Sequence, residues 1–174
     1  SVETFGPDSE VFATIATVPS VNELELTMFL RITNPNTADT DGYAINMYSL
    51  LGVFNTYEYF RVDNGVLTIL GSAVTGPTLA VGDSVGAQMS GSRLVIWTKQ
   101  GAGAWTALDA GRTDATYSAA GYIALRMDGS TDYPHVTDFG GGTTTPCATA
   151  GANTVSWCPG PHATPGQSVI EMRP

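Results

Sequence analysis

One aromatic-rich stretch of the chain contains residue types that bind sugars. A sugar-binding face places aromatic rings against the C–H faces of the sugar and polar side chains near its hydroxyl groups. The candidate ligand-binding residues are Tyr43, Tyr57, Tyr59 and Arg61. Cross-strand aromatic packing inside a sheet is the alternative, and the pattern favours it. Because Tyr57 and Tyr59 share one strand face and Phe60 points to the other, at least one of these two sets belongs to the core.

Acidic residues in predicted loops are candidates for calcium binding. Lectin-like sandwiches often hold this ion at loop tips through aspartate side chains and backbone carbonyls. The candidates are Asp39 and Asp41 in one loop, and Asp128 and Asp132 in another. The chain lacks the D-x-[DN]-x-[DN]-G sequence of a calcium-binding loop, and acidic loop residues are often solvated turn formers. Calcium therefore stays open as a cofactor, and no other cofactor is indicated.

Signatures of catalysis are weak or missing. Gly82 to Gly86 read G-x-S-x-G, the nucleophile-elbow sequence, but an elbow needs a helix after its serine, whereas a strand is predicted after Ser84. Retaining glycan hydrolases carry paired carboxylates about 5 Å apart. The nearest approach here, Glu23 and Glu25, alternates with leucines as the wet face of a strand. We therefore expect no catalytic residue and no enzyme activity.

The charge balance narrows the classes of partner. Seven basic residues face sixteen acidic ones, and the net charge of −9 would repel a phosphate backbone. This composition excludes nucleic acid as a partner. No apolar run approaches the roughly 20 residues of a membrane-spanning helix. We therefore expect no membrane insertion.

Short apolar segments alternate with glycine-marked turns along most of the chain. From Glu23 to Thr33 every second residue is apolar, interrupted only by Phe29, which predicts a strand with one face in the core and one in water. The Asn64-Gly65 pair predicts a hairpin because both residues tolerate positive φ. Similar segments recur at regular spacing, which indicates an all-β, antiparallel β-sandwich. We expect at most one or two helical turns, near residues 49–55 or 110–115.

The C-terminal composition differs from the rest of the chain. We expect residues 1–142 to form the sandwich, and residues 143–174 to form an irregular arm rich in Pro, Gly and Thr. Cys147 and Cys158 in this arm predict a disulfide closing a small loop, which suggests an extracellular setting; two free thiols are the alternative. The sequence SVIEM near the end could add one edge strand. Because the chain begins at Ser1 without methionine, we expect a processed or trimmed product.

Several segments, taken in order, carry a family resemblance. They are SEVFATIATVP, GYAINMY, YEYFRVDNGVLTILG, LAVGDSVGAQMSGSRLVIW, DATYSAAGYIAL and VTDFGGGT, and they extend over roughly Ser9 to Thr143. Together they resemble the laminin G-like, concanavalin A-like lectin jelly roll found in secreted bacterial proteins and bacteriophage virion proteins. The resemblance implies a jelly-roll β-sandwich. The short lead-in SVETFGPD and the cysteine-bearing arm depart from the family.

Fold and residues together lead to ordered hypotheses about function. The first is a non-enzymatic extracellular recognition or adhesion module at a cell or virion surface, which binds glycan through its concave face or loop tips. The alternative is a decoration or tail subunit of a virion or other extracellular assembly. In that case the arm would contact neighbouring protein subunits in a homo-oligomer or a larger assembly. A glycan hydrolase or lyase comes last, because no convincing site supports it.

Overall fold

The computed structural model describes residues 4–18, 25–50, 53–128, 135–144 and 170–171. Within these ranges the regular structure consists of strands. No helix in them has the length and apolar character needed to cross a membrane. The places suggested for a helical turn are not helical where the structure describes them, because residues 53–55 and Arg112–Thr113 are strand.

Thirteen strands make up the described fold. They are β1 (Ser9–Thr17), β2 (Glu25–Thr33), β3 (Asp41–Leu50), β4 (Val53–Asp63), β5 (Val66–Ile69), β6 (Val74–Leu79), β7 (Ser84–Ser90), β8 (Arg93–Lys99), β9 (Thr106–Ala107), β10 (Arg112–Thr113), β11 (Tyr122–Asp128), β12 (His135–Thr143) and β13 (Ile170–Glu171).

The strands form two sheets that pack face to face as a sandwich. One sheet has six strands in the order β10-β8-β7-β1-β12, with β9 beside β8. The other has seven strands in the order β13-β11-β2-β3-β4-β5, with β6 beside β4. All pairings are antiparallel except that of β13 with β11. The long β2, β3 and β4 lie next to one another, so they form the platform of the larger sheet.

The core lies between the two sheets. Because side chains alternate along a strand, each strand contributes every second residue to it. The largest fully buried side chains include Tyr43, Tyr57, Tyr59 and Phe54, all from β3 and β4. The same alternation directs Phe60 away from this core, to the outer side of the seven-stranded sheet, where it packs with Phe29.

The Asn64-Gly65 turn agrees with the sequence prediction, whereas strand β2 departs from it. Asn64 and Gly65 have φ of 48° and 75°, as the predicted hairpin requires. The prediction that one face of the Glu23–Thr33 strand lies in water is wrong, because Thr27 and Arg31 are 2% and 3% exposed; Arg31, with φ 53°, also interrupts the strand register. Its guanidinium donates to the carbonyls of Tyr117 (2.8 Å) and Gly91 (2.7 Å), so it joins loops across the sandwich.

The C-terminal arm is described only in part. β12 ends at Thr143, and the next described residues after Thr144 are Ile170–Glu171. These two residues pair in parallel with Ala124 and Leu125 of β11, which confirms the edge strand expected from SVIEM. Cys147 and Cys158 lie outside the described residues, and their disulfide stays a prediction.

Candidate ligand-binding face

The outward-facing side chains of the seven-stranded sheet, here called the front face, carry an apolar row. Strand pairing aligns one residue from each of five strands across the sheet, and these residues are Ala124, Phe29, Ala44, Phe60 and Ile69. Phe29 is 2% exposed, whereas Ile69 at the sheet edge is 44% exposed. The row therefore runs from a packed apolar centre to an exposed apolar edge.

A polar row lies next to the apolar one. It consists of Arg126, Thr27, Asn46 and Glu58, again aligned by strand pairing. Thr27 Oγ1 donates to Asn46 Oδ1 at 3.3 Å. Arg126 Nε donates to Asp128 Oδ2 at 2.5 Å. Burial, together with the nearby charge of Glu25, raises the pKa of Glu58. The front face thus places charged and amide groups directly beside apolar rings.

A cleft of about 260 Å³ opens on this face where the two rows meet the β2–β3 loop. Its apolar lining comes from Phe29, Val62 and Leu67, and Arg126 is the charged residue of the lining. The rest of the lining is Asn36, Thr37, Thr40 and Gly65. An apolar floor with a few polar groups at the rim is typical of small-ligand sites. The cleft, called the front cleft below, is the candidate site on this face.

The β2–β3 loop that forms one rim of the front cleft is held by local hydrogen bonds. The hydroxyl groups of Thr37 and Thr40 each donate to the carbonyl of Asn34 at 2.8 Å. Gly65 of the neighbouring hairpin donates its N–H to the carbonyl of Thr40 at 2.7 Å. Asn36, with φ 62°, is exposed at the tip and makes no side-chain hydrogen bond within the described residues. The rim is therefore fixed, and the amide of Asn36 is uncommitted.

The three predicted ligand-binding tyrosines lie elsewhere, and the structure corrects that prediction. Tyr43, Tyr57 and Tyr59 have no exposed surface. Rings without exposed surface cannot stack on a sugar, so these tyrosines act in the core, as the alternative interpretation held. Burial raises the pKa of all three hydroxyl groups. Strand parity is the physical reason, because it directs Tyr57 and Tyr59 inward and Phe60 outward.

The structure brings Tyr43, Arg61 and Asp41 into one cluster at the end of the sandwich, where Tyr117 joins them. Tyr43 donates to Asp114 Oδ1 at 2.8 Å, and Arg61 donates to Asp114 Oδ2 at 3.1 Å. The Tyr117 hydroxyl lies 3.1 Å from Asp41 Oδ1. Arg61 is thus committed to structural ion pairs, which also include Asp63. Their arrangement ties the 114–117 loop to β3 and β4.

Hydrogen bonding within this cluster perturbs two carboxyl groups. Burial alone would raise the pKa of Asp114, but hydrogen bonds from Thr116, Tyr43 and Arg61 outweigh it and lower the pKa to about 2. A hydrogen bond from Arg61, with a second from Tyr117, lowers the pKa of Asp63. Both carboxylates are therefore ionised at neutral pH and hold the cluster together.

The calcium candidates are spread over the sheet. Asp41 pairs with Thr33 at one end of β2, and Asp128 pairs with Glu25 at the other, roughly 25 Å away along the strand. Asp39 is exposed and Asp132 lies outside the described residues. Among the residues that the structure describes, no group of three or more His, Cys, Asp or Glu side chains could hold a metal ion. Asp41 and Asp128 are therefore far apart, and the pairing of Asp128 with Asp132 stays a prediction.

The serine of the elbow-like sequence begins a strand, as predicted. Gly82 has φ 90° and β7 starts at Ser84, whose hydroxyl lies 3.0 Å from Thr14 Oγ1. Asp83 accepts the N–H groups of Ala80 and Gly101 at 2.9 and 2.7 Å. GDSVG is therefore a turn that organises neighbouring loops.

Sequence reasoning missed the residues that line the front cleft. Arg126 and Leu67 have no motif around them, and Phe29 appeared only as an interruption of an otherwise regular alternation. That interruption was a usable signal, because an aromatic residue on a predicted wet face indicates a surface with its own contacts. The outward direction of Phe60 on β4 was a second signal of the same face.

Comparisons with known proteins bear on the fold. No protein-family model and no curated protein matches the chain. Among solved structures, the carbohydrate-binding module CBM66 from Bacillus subtilis is similar, with a TM-score of 0.58 and 12% sequence identity. The match covers 81% of this chain and 78% of that chain. The similarity shows a shared fold and confirms the predicted all-β, antiparallel sandwich.

Proposed function

We propose that this chain is a non-catalytic carbohydrate-binding domain that binds glycan at the front cleft. One observation carries the proposal: the cleft combines an apolar floor, made of the exposed Leu67 beside the buried Phe29 and Val62, with the guanidinium of Arg126. Similarity to a solved carbohydrate-binding module supports the same class of ligand. The finer likeness to laminin G-like and concanavalin A-like lectins is part of this proposal.

The lining suits the two kinds of surface that a sugar ring presents. The C–H groups of the ring would pack on Leu67, which is 37% exposed, and its hydroxyl groups would face the polar rim. Arg126 pairs with Asp128 through Nε and Nη2, and the guanidinium has further donors left because it carries five N–H groups. Asn36 adds both a donor and an acceptor. A donor-rich rim of this kind recognises hydroxyl oxygens.

Binding without catalysis is the form of the proposal that the described residues support. A retaining hydrolase needs two carboxylates about 5 Å apart that flank the scissile bond. The lining of the front cleft contains no carboxylate. Glu25 and Glu58 are near enough for the charge of Glu25 to raise the pKa of Glu58, but neither residue lines the front cleft. We therefore assign no catalytic carboxylate to the front cleft.

We place the domain at an extracellular or virion surface, where it would act in recognition or adhesion. The second candidate is a structural subunit of a virion or other assembly whose arm contacts neighbouring copies. One observation bears on that arm: Ile170–Glu171 pairs with β11 of the same chain. An arm whose end returns to its own sheet favours the recognition role.

A glycan array followed by titration calorimetry tests the proposal. Arg126→Gln and Leu67→Ala should each weaken binding of an array hit by about tenfold, the loss of one good contact. Arg93→Gln and Val81→Ala are matched controls. Arg93 lies on β8 of the six-stranded sheet and donates to the carbonyl of Ala110, and Val81 is 64% exposed in a turn. Unchanged affinity in both front-cleft variants would contradict the site, and release of shortened glycan would contradict the non-catalytic role.

A further inference from the structure

A second, larger cleft of about 530 Å³ lies at the lateral edge of the sandwich. We call it the side cleft. Its walls come from β6, the end of β8, the turn after β8, and β9. The lining residues are Thr75, Gly76, Pro77, Thr98, Gln100, Gly103, Ala104, Thr106, Ala107 and Leu108. The two clefts share no lining residue, so they are separate sites.

Four uncommitted polar side chains face the side cleft. Thr98 is 5% exposed, yet its hydroxyl makes no hydrogen bond to the described residues and is not sealed from solvent. Thr106 lies directly opposite Thr98 across the β8–β9 pair. Thr75 and Gln100, on the other walls, also make no side-chain hydrogen bond within the described part of the chain. A buried hydroxyl that opens to a cavity needs a partner there, and a ligand hydroxyl can supply it.

The lining of the side cleft carries no charged side chain. The nearby carboxylate of Asp83 is already used, because its two oxygens accept the N–H groups of Gly101 and Ala80. A ligand with a carboxylate, sulfate or phosphate would find no cation in this lining to pair with, in a chain of net charge −9. The lining therefore suits a neutral ligand with hydroxyl groups.

The walls of the side cleft are fixed before any ligand arrives. Tyr57 donates its hydroxyl to the carbonyl of Pro77 at 2.8 Å, which anchors β6 to the core. A Cβ at Gly76 would lie 2.3 Å from Leu108 Cδ1 and 2.8 Å from the Tyr57 ring, so glycine permits the close approach of this wall. Gly103 donates its N–H to the carbonyl of Gln100 at 2.9 Å and closes the turn. Rigid walls reduce the entropy lost on binding.

We propose that the side cleft is a second binding site, and that it holds a neutral saccharide segment through the hydroxyl groups of Thr98 and Thr106 and the amide of Gln100. The choice of ligand class rests on the proposed function. Tyr48, Thr56 and Thr75 are aligned across β3, β4 and β6, so a row of polar residues on the front face leads to the side cleft. A glycan chain that reached both clefts would bind more tightly than either site alone, since the second contact is intramolecular.

An NMR titration of the ¹⁵N-labelled full chain measures ligand binding at both clefts in one experiment. The probes are maltotriose, cellotriose and mannotriose as neutral saccharides, and trigalacturonate as an anionic one. We expect a neutral trisaccharide to shift the backbone amides of Thr98, Gln100 and Thr106 in a saturable way, with a dissociation constant distinct from that of the front-cleft amides. Trigalacturonate should leave the side-cleft amides in place.

Two variants make this test specific. Thr98→Val with Gln100→Ala should weaken side-cleft binding at least tenfold and leave the front-cleft constant unchanged. Thr113→Val, on exposed β10, is the matched control. Circular dichroism and thermal unfolding establish that each variant folds.

The outcomes separate the two proposals. Side-cleft shifts that disappear in the double variant support the second site, even if Arg126→Gln has no effect at the front cleft. Front-cleft shifts without side-cleft shifts overturn the second site alone. Side-cleft binding that is unchanged in the double variant, or that is equally strong for trigalacturonate, overturns the assignment of residues or of ligand class. Absence of any shift with all four probes overturns the second site as well as the first.

Discussion

The two faces of the seven-stranded sheet use the same residue types for opposite purposes. On the inward face, Tyr57 donates to the Pro77 carbonyl and Tyr59 donates to Asp109 Oδ1 at 2.5 Å, and neither ring is exposed. On the front face, the ring of Phe60 and the side chains of Glu58 and Arg126 keep contact with solvent. Strand parity separates the two sets by one residue. Tyr57 and Tyr59 therefore pack in the core between the sheets, whereas Phe60 packs on the outer side of its sheet.

The outer face of the six-stranded sheet, here called the back face, provides a third environment. Glu10 and Gln88 are directly opposite one another on β1 and β7, and they are only 6% and 8% exposed. Glu10 Oε2 and Gln88 Oε1 are buried and have no hydrogen-bond partner among the residues that the structure describes. Burial raises the pKa of Glu10 to about 7. An outward direction is therefore not sufficient to keep a polar group in water.

Removing the Tyr59 ring should have the largest effect on stability. Tyr59→Ala should lower the free energy of unfolding by about 4 kcal/mol, because it leaves a cavity. It also removes the ring beneath the Arg112 guanidinium and the hydroxyl that Asp109 accepts. Urea denaturation measures the loss. Tyr59→Phe, which keeps the ring, should cost about 1 kcal/mol. The glycan affinity of the folded fraction should not change. A weakened affinity would contradict the separation between a core-forming inward face and a ligand-binding front face.

The pH dependence of stability tests the back face. A carboxyl group whose pKa rises from 4.5 to about 7 on folding contributes most below pH 4.5 and loses that contribution as pH rises through 7. The full loss is about 3 kcal/mol. Thermal unfolding between pH 4 and 8 should therefore show declining stability, and Glu10→Gln should flatten the decline. Glu25→Gln, on the front face, is the control. An unchanged profile in Glu10→Gln would show that Gln88 or another group compensates the buried charge.

Acid should weaken the tyrosine–aspartate cluster at the sandwich end. Because the pKa of Asp114 is lowered from 3.8 to about 2 on folding, its stabilising contribution is present above pH 4 and is lost as pH falls through 2. Solvent screening of this partly exposed group reduces the effect to about 1 kcal/mol. Asp114→Asn should remove this part of the acid sensitivity, whereas Asp39→Asn in the exposed loop should retain it. Equal acid profiles in the two variants would argue against the cluster.

The smallest effect is expected at Glu58, and it has the opposite sign. Burial and the charge of Glu25 raise the pKa of Glu58, so ionisation of Glu58 opposes folding at neutral pH. Glu58→Gln should therefore stabilise the fold by a few tenths of a kcal/mol at pH 7, with no difference at pH 4. Differential scanning calorimetry at both pH values would detect the change. Destabilisation at pH 7 would mean that the Glu58 carboxylate has a favourable partner on the front face.

The sequence determined the architecture because local chemistry repeats along it. Alternating residues from Glu25 to Thr33 fix a strand, and the positive φ values of Asn64 and Gly65 fix the hairpin that follows β4. Neither feature depends on residues far away in the chain. The edge strand at Ile170–Glu171 followed from a short apolar run for the same reason.

Tertiary structure alone decided which side of each strand faces the core. A strand alternates identically whichever side is buried, so Tyr57, Tyr59 and Phe60 could not be assigned from local pattern. The assignment needed the second sheet, which covers the tyrosines and leaves Phe60 outside. The same holds for the front cleft, whose Phe29, Leu67 and Arg126 come from strands far apart in sequence and meet only when β11, β2 and β5 join one sheet.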